Sequence, residues 1–225
     1  MEKNTKLNCI TAADAVYREL RKDIISLNFK PGEKLSEAKL AEHYGVSRDP
    51  VRKAVSRLVQ EGLMESRPQY GTIVSEISMK QGIAVCEIRL LLETFAIRKA
   101  VKNIDDATVD MLLAELDEIE RRMKIQDDDS IKQEIYALDG KMHSAIYDAS
   151  GNDMIAEIIN SYEYIISRIQ RSNMVWHNRK VQTMNEMHLI IHALKDRNEE
   201  DAVSAMSRHI NNIKTTLVST SEKKE

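Results

Sequence analysis

The 225-residue chain holds little that would break a helix, with 3 prolines and 7 glycines in its whole length. That scarcity excludes collagen-like and Pro/Gly-rich disordered chains. With 42% hydrophobic and 31% charged residues, the composition suits a strongly helical protein able to bury a core as one large domain or two modest ones. Cysteine is scarce as well. Cys9 and Cys86 form no C-x-x-C pair, so neither a disulfide framework nor a cysteine zinc site is indicated, and a reducing compartment fits. No stretch approaches the ~20 apolar residues of a membrane span, and the opening MEKNTKLNCITAADAVYREL lacks the apolar core of a secretory signal. A cytoplasmic protein with no membrane partner is expected. An excess of one charge is missing too: 33 Lys and Arg stand against 36 Asp and Glu, net −3. Any nucleic-acid role must come from local distribution.

That distribution is uneven. Residues 1–78 carry 13 basic against 11 acidic residues, leaving 20 against 25 for residues 79–225. All three prolines (Pro31, Pro50, Pro68) and four glycines (Gly32, Gly45, Gly62, Gly71) fall before residue 72, which implies short elements with sharp turns. The reading is therefore two domains, 1–78 and 79–225. Val16, Leu20, Ile24 and Leu27 follow helical spacing, ended by Pro31-Gly32. Ser36 can cap a short helix carrying Leu40 and Ala41 that stops at Gly45. Ser47 can cap the next, carrying Val51, Val55, Leu58 and Val59, with Pro50 in its first turn where a missing N–H does no harm. Residues 63–66 and 72–74 read as two brief strands. Beyond Ser78 the spacing predicts six long amphipathic helices, near 80–102, 105–125, 131–149, 152–172, 178–197 and 199–218. Short connections between them imply an antiparallel bundle. The expected fold class is mostly α, a winged helix-turn-helix followed by an all-α bundle.

In a winged helix-turn-helix the second helix enters the major groove N-terminus first. Arg48 and Arg52, four apart, share a face of that helix, and an arginine fork can read guanine or straddle a phosphate. Lys53 and Arg57 extend the basic surface, and Gly71, with Arg67 nearby, lets the wing backbone approach a sugar-phosphate strand. On spacing alone, the same residues also read as solvated charges on a surface helix. The stretch PGEKLSEAKLAEHYGVSRDPVRKAVSRLVQEGL (31–63), continued by YGTIV (70–74), resembles the DNA-binding domain of the GntR family of bacterial transcription regulators. The resemblance implies a dimer on a palindromic double-stranded operator. It places DNA contacts at Arg48, Arg52 and Gly71, with Ser47, Arg57 and Lys39 as phosphate contacts. Asp49 stands where most members have Thr. It can accept from a cytosine amino group or cap the helix, so the operator is expected to differ from the common one.

In the second half, Asp139 and His143 lie four apart beside the apolar stripe Ile135, Leu138, Met142 and Ile146. His209 falls within another stripe that includes Ala205, Met206 and Ile213. All three should face the bundle interior, where a carboxylate and imidazoles suit a divalent transition metal. The same spacing equally suits a buried Asp–His pair and a satisfied core histidine. Arg89 and Arg168 can match a carboxylate bidentately, though a salt bridge such as Arg89 with Glu93 serves Arg89 as well. Tyr162, Tyr164 and Trp176 suit either a pocket wall or the core.

Arg89, Leu92 and Glu93, then Asp139, His143 and ASGN (149–152), then Ala193, Leu194, Ala202, Met206 and His209 resemble the FCD ligand-binding domain of the FadR subfamily of GntR regulators. The resemblance implies an Asp and three His holding zinc, nickel or a similar ion, with a small carboxylate effector completing the coordination. Asp139, His143 and His209 match three of the four positions. Ungapped alignment puts Met187, not His188, at the fourth. Met187 lies ~60° from Met184 and ~40° from Ile191 around the helix, and His188 the reverse, so periodicity does not separate them. Either a helix rotation brings His188 to the metal, or Met187 leaves a three-ligand site. His192 reads as surface or pocket lining.

The expectation is a ligand-responsive transcription regulator, in the first instance a repressor, acting as a homodimer and not as an enzyme. A constitutive DNA-binding regulator with a degenerate effector site is the alternative. A metal-dependent enzyme is less favoured, since no nucleophile elbow, phosphate loop or H-E-x-x-H pair is present.

Overall fold

The computed structural model describes residues 11–125, 129–172 and 179–222. Cys9, Asp127, Asp128 and Trp176 lie outside the described residues. Two compact units divide between Ile77 and Ser78.

The first unit runs α1 (Ala12–Ile25), β1 (Lys34–Leu35), α2 (Glu37–Tyr44), α3 (Arg48–Gln60), β2 (Met64–Arg67) and β3 (Gly71–Val74). Its core forms where α1 packs on α3. Val16, Leu20 and Ile24 are the buried face of α1, and Val51, Ala54, Val55 and Leu58 that of α3. Helical spacing carries on to Leu27, but α1 stops at Ile25. Leu27 turns left-handed at φ +61°, its N–H donates to the Ile24 carbonyl, and the Asn28 N–H donates to that of Asp23 at 2.9 Å. This closing motif uses the last carbonyls of the helix, and apolar periodicity does not reveal it. Gly45 ends α2 in the same way, with φ +64° and an N–H shared between Ala41 and Glu42 carbonyls.

Four of the helix starts share one capping bond. Thr11, Ser36, Ser78 and Asp105 each accept the backbone N–H three residues on. Ser47 has the extended backbone of a capping residue but makes no capping side-chain bond, contrary to expectation. The residue three on is Pro50, which has no N–H to donate. The wing also differs from the two strands expected. It is a three-stranded antiparallel sheet in the order β1-β3-β2, with Lys34 opposite Ile73 and Arg67 opposite Gly71. Two residues are too few for β1 to show alternation in the sequence.

The second unit is six helices: α4 (Met79–Asn103), α5 (Asp106–Met123), α6 (Asp129–Ser150), α7 (Asp153–Arg171), α8 (Lys180–Lys195) and α9 (Glu199–Glu222). Helix α4 packs against α6, α7, α8 and α9. At Gly82 the packing is so close that a Cβ would collide with Ile169 of α7 and Leu217 of α9. Among the described residues no helix is long and apolar enough to cross a membrane.

At Gly45 a Cβ would meet nothing within 4 Å, so any penalty there comes from backbone conformation alone. Gly45→Ala is expected to destabilise the first unit by about 1–2 kcal/mol, read as a lower urea midpoint in full-length protein.

Candidate functional site

The tip of α3 is an exposed basic surface. Arg48 makes no ion pair with any described residue, and the Ser47 hydroxyl is free of a cap. Arg52 touches Glu37 of α2 at 3.4 Å while remaining 65% exposed. Asp49 pairs with Lys53 at 2.9 Å, neither capping α3 nor adding a net charge to the surface. Arg57 is committed elsewhere: it reaches Asp14 of α1 at 2.8 Å and lies 3.7 Å over the Tyr17 ring, as a strut between α1 and α3. Lys39 is exposed on α2. At the wing, Gly71 adopts φ +102°, and a Cβ there would crowd the Lys34 side chain. Lys34 lies 4.5 Å over the Tyr70 ring, adding a cation beside the wing turn. The sequence reading missed Lys34 because it sits in the two-residue strand.

The second unit brings together Asp139, His143 and His209, all buried. Asp139 and His143 are one turn apart on α6, while α9 supplies His209. His143 Nε2 lies 3.4 Å from His209 Nε2, and Asp139 Oδ1 lies 3.7 and 3.5 Å from them respectively. A point equidistant from the three atoms lies roughly 2.0 Å from each, an ordinary zinc–nitrogen or zinc–carboxylate bond length. Asp139 Oδ1 has no hydrogen-bond partner among the described residues. A carboxylate backs each imidazole: Glu93 Oε2 lies 2.7 Å from His143 Nδ1, and Glu186 Oε2 lies 2.8 Å from His209 Nδ1. At His209 the carboxylate only accepts, so Nδ1 carries the proton and Nε2 presents its lone pair inward. At His143 the Glu93 contact is a close approach without hydrogen-bond geometry, and Arg89, which only donates, marks Nε2 as the acceptor at 3.2 Å. This donor set fits a divalent transition metal. Neither glutamate emerged as the backing of an imidazole from the sequence, since each stands on a different helix from the histidine it backs.

Arg89 and Glu93 form the expected pair on α4 at 2.6 Å, fully inside the bundle. Burial favours the neutral acid, but the Arg89 charge and then His143 outweigh it and hold the Glu93 carboxyl below the usual carboxylate range. Arg89 Nη2 also lies 3.2 Å from His143 Nε2, so the guanidinium caps the lone pair that a metal would take. Beside the triad opens a cavity of about 730 Å³, walled in part by Arg89, Tyr136, Tyr147 and Arg171. Burial, then the Glu93 charge, pushes the Tyr147 hydroxyl up, and burial, then Asp139, does the same at Tyr136. Both phenols stay protonated, and Tyr136 donates its proton to the Gln170 carbonyl at 2.8 Å. Tyr162 lines the same cavity.

Two expected residues are placed elsewhere. Arg168 is buried on α7 but does not line this cavity, whereas Arg171 does. The cavity face of α7 runs through Tyr162, Ile166 and Gln170, and Arg168 lies well round the helix from it. His188 does not join the triad: its Nε2 lies 3.0 Å from Glu120 of α5. The rotation of α8 turns Glu186, Met187, Ile190 and Ile191 inward, which leaves His188 half-buried at the outer edge. Met187 is fully buried as an apolar packing residue.

The family model of the FCD domain matches residues 84–212, more than half of the chain, and that of the gntR family of bacterial regulatory proteins matches residues 12–74. The chain belongs to the GntR family. It is a DNA-binding transcription regulator with a C-terminal FCD domain, and not an enzyme. Similar proteins include the uncharacterized HTH-type transcriptional regulator YdhC of Bacillus subtilis, 28% identical over 87% of this chain and 86% of that one. The HTH-type transcriptional repressor RspR of Escherichia coli is 27% identical over 90% and 87%. The solved structure of Escherichia coli McbR/YncC shares the fold, with a TM-score of 0.72 and 21% identity over 96% of this chain and all of that one.

In this GntR-family regulator, Glu93→Gln leaves the Arg89 guanidinium buried without its countercharge. It is expected to cost about 3–5 kcal/mol, measured by urea unfolding at neutral pH. A loss below 1 kcal/mol would mean that the pair contributes little to the bundle.

Proposed function

We propose that this regulator is a cytoplasmic homodimeric repressor whose FCD domain senses a small organic acid at a zinc or nickel ion held by Asp139, His143 and His209. The observation that carries the reading is the convergence of three buried acceptor atoms, with a carboxylate close behind each imidazole. The ion would supply a Lewis-acidic anchor for a carboxylate. Arg89, Arg171 and the protonated Tyr147 supply donors around the cavity, whose volume suits a small ligand. His188 is left out of this set, so three protein ligands leave room for effector oxygens. Repression is proposed on the likeness to RspR. Dimerisation is supported by an exposed apolar face on two packed helices, with Leu91 and Phe95 on α4 and Met154 and Ile158 on α7.

DNA contact is assigned to Arg48, Arg52, the Ser47 hydroxyl and the wing at Gly71 and Lys34, with Lys39 on a phosphate. Arg48→Ala and Arg52→Ala are each expected to weaken operator binding by about 1–3 kcal/mol, roughly 5- to 150-fold, in band-shift titration with DNA from upstream of the protein's own gene. Lys39→Ala should weaken specific and non-specific DNA alike and flatten the salt dependence. Unchanged binding by both arginine variants would overturn the assigned helix tip.

For the effector site, adding Zn²⁺ or Ni²⁺ to chelator-treated protein is expected to raise its melting temperature, because a ligand that binds only the native state stabilises it. Asp139→Ala should abolish most of that rise, and a carboxylate that binds should add a further rise only when metal is present. Equal metal-induced shifts in wild type and Asp139→Ala would favour the constitutive alternative, for which the apolar Met187 at the fourth position is the motivation.

A further inference from the structure

The outward turn of His188 creates a second constellation. His188 and His192 stand four residues apart on α8, and their rings stack with centroids 5.6 Å apart and planes 6° from parallel. Glu120 faces His188 from α5, with Oε1 3.0 Å from its Nε2. One turn earlier on α5 stands Asp117, and donor atoms of Asp117, Glu120 and His188 all lie within 4.8 Å of one another. Helices α5 and α8 pack together, so the bundle holds these groups in place. The His188 and Glu120 side chains are 27% and 34% exposed, open to ions yet partly fixed.

We propose that Asp117, Glu120, His188 and His192 form a second divalent transition-metal site on the outer face of α5 and α8, separate from the buried triad. Two histidines at i and i+4 present imidazoles on one helix face, as in helical zinc motifs, and imidazole with carboxylate suits zinc or nickel. A simple His188–Glu120 bond would need neither of the other two groups. Asp117 makes no ion pair with any described residue and sits three residues from Glu120, where like charges repel. A cation between the helices relieves that repulsion. Helix α8 carries Glu186 on its inner face, so an ion clamping its outer face steadies the helix that orients His209. The proposal does not depend on whether the inner triad binds metal.

The test is metal content per chain after equilibrium dialysis of chelator-treated full-length protein against Zn²⁺, and separately Ni²⁺. Wild type is expected to hold one equivalent more than His188→Ala/His192→Ala, whatever the inner site contributes. Glu120→Gln should weaken the same equivalent, while Asp139→Ala should retain it. Because the substituted histidines lie at the surface, circular dichroism of the double variant should match wild type. Equal metal content in wild type and the double variant would overturn the outer site. So would loss of all bound metal in folded Asp139→Ala.

Discussion

A carboxylate can accept a hydrogen bond but never donate one, and the ligand-binding unit is organised around that constraint. Glu186 takes the Nδ1 proton of His209 at 2.8 Å, while at His143 the Arg89 guanidinium, which only donates and is held by the Glu93 carboxylate, meets Nε2. Both Nε2 lone pairs are thereby turned onto each other and onto Asp139 Oδ1. Three buried acceptors 3.4–3.7 Å apart repel unless positive charge comes between them. Without a ligand, the Arg89 guanidinium at 3.2 Å from His143 offsets part of that repulsion. The groups come from four helices: α4 gives Arg89 and Glu93, α6 gives Asp139 and His143, α8 gives Glu186, and α9 gives His209. The site therefore exists only when the bundle is assembled, and a cation bound there stabilises the assembled state.

The DNA-binding unit shows the opposite economy. Its core helices are closed by hydrogen bonds that use the last carbonyls, and α1 and α2 start with a capped N–H. Helix α3 forgoes its cap because Pro50 stands where the donor would be, at a cost of about 1 kcal/mol. The Ser47 hydroxyl makes no capping bond and the Arg48 side chain no ion pair among the described residues, at the N-terminal end of α3. A phosphate oxygen can take the donors that the fold does not use. Asp49 and Lys53 neutralise each other and Arg57 is spent on α1, so among the described residues of the helix Arg48 keeps its charge unpaired and the exposed Arg52 shares its charge only with Glu37.

Much of this was legible in the sequence because helical period and punctuation are local signals. The six bundle helices, the stops at Gly45 and Gly62, and the inward faces of Asp139, His143 and His209 follow from spacing. Leu27 did not, because its apolar side chain continues a pattern that the backbone has already abandoned. His188 and Arg168 failed for a related reason. Period arithmetic places a residue on a helix face only to within one 100° step, and packing against α5, α9 and α4 sets the final rotation. Glu93 and Glu186 were readable as charges but not as the backing of imidazoles, since their partners lie 50 and 23 positions away in sequence. Met187 was the one residue whose identity argued against a fourth histidine ligand, and its complete burial agrees with that.

Helix α4 connects the charge balance at His143 to the start of the second unit. Helix α4 begins immediately after the boundary between the units, capped by Ser78, and Arg89 lies eleven residues further along, about 16 Å at the rise of an α-helix. A metal or an anion that draws Arg89 away from His143 acts on α4 through the Arg89–Glu93 pair, which is rigid because both charges are buried. Helix α4 is also packed on four other helices and fitted tightly at Gly82, so it responds to that pull by a small shift as a body rather than by bending. A ligand that binds one position of α4 better than another changes the population of those positions by no more than its differential affinity.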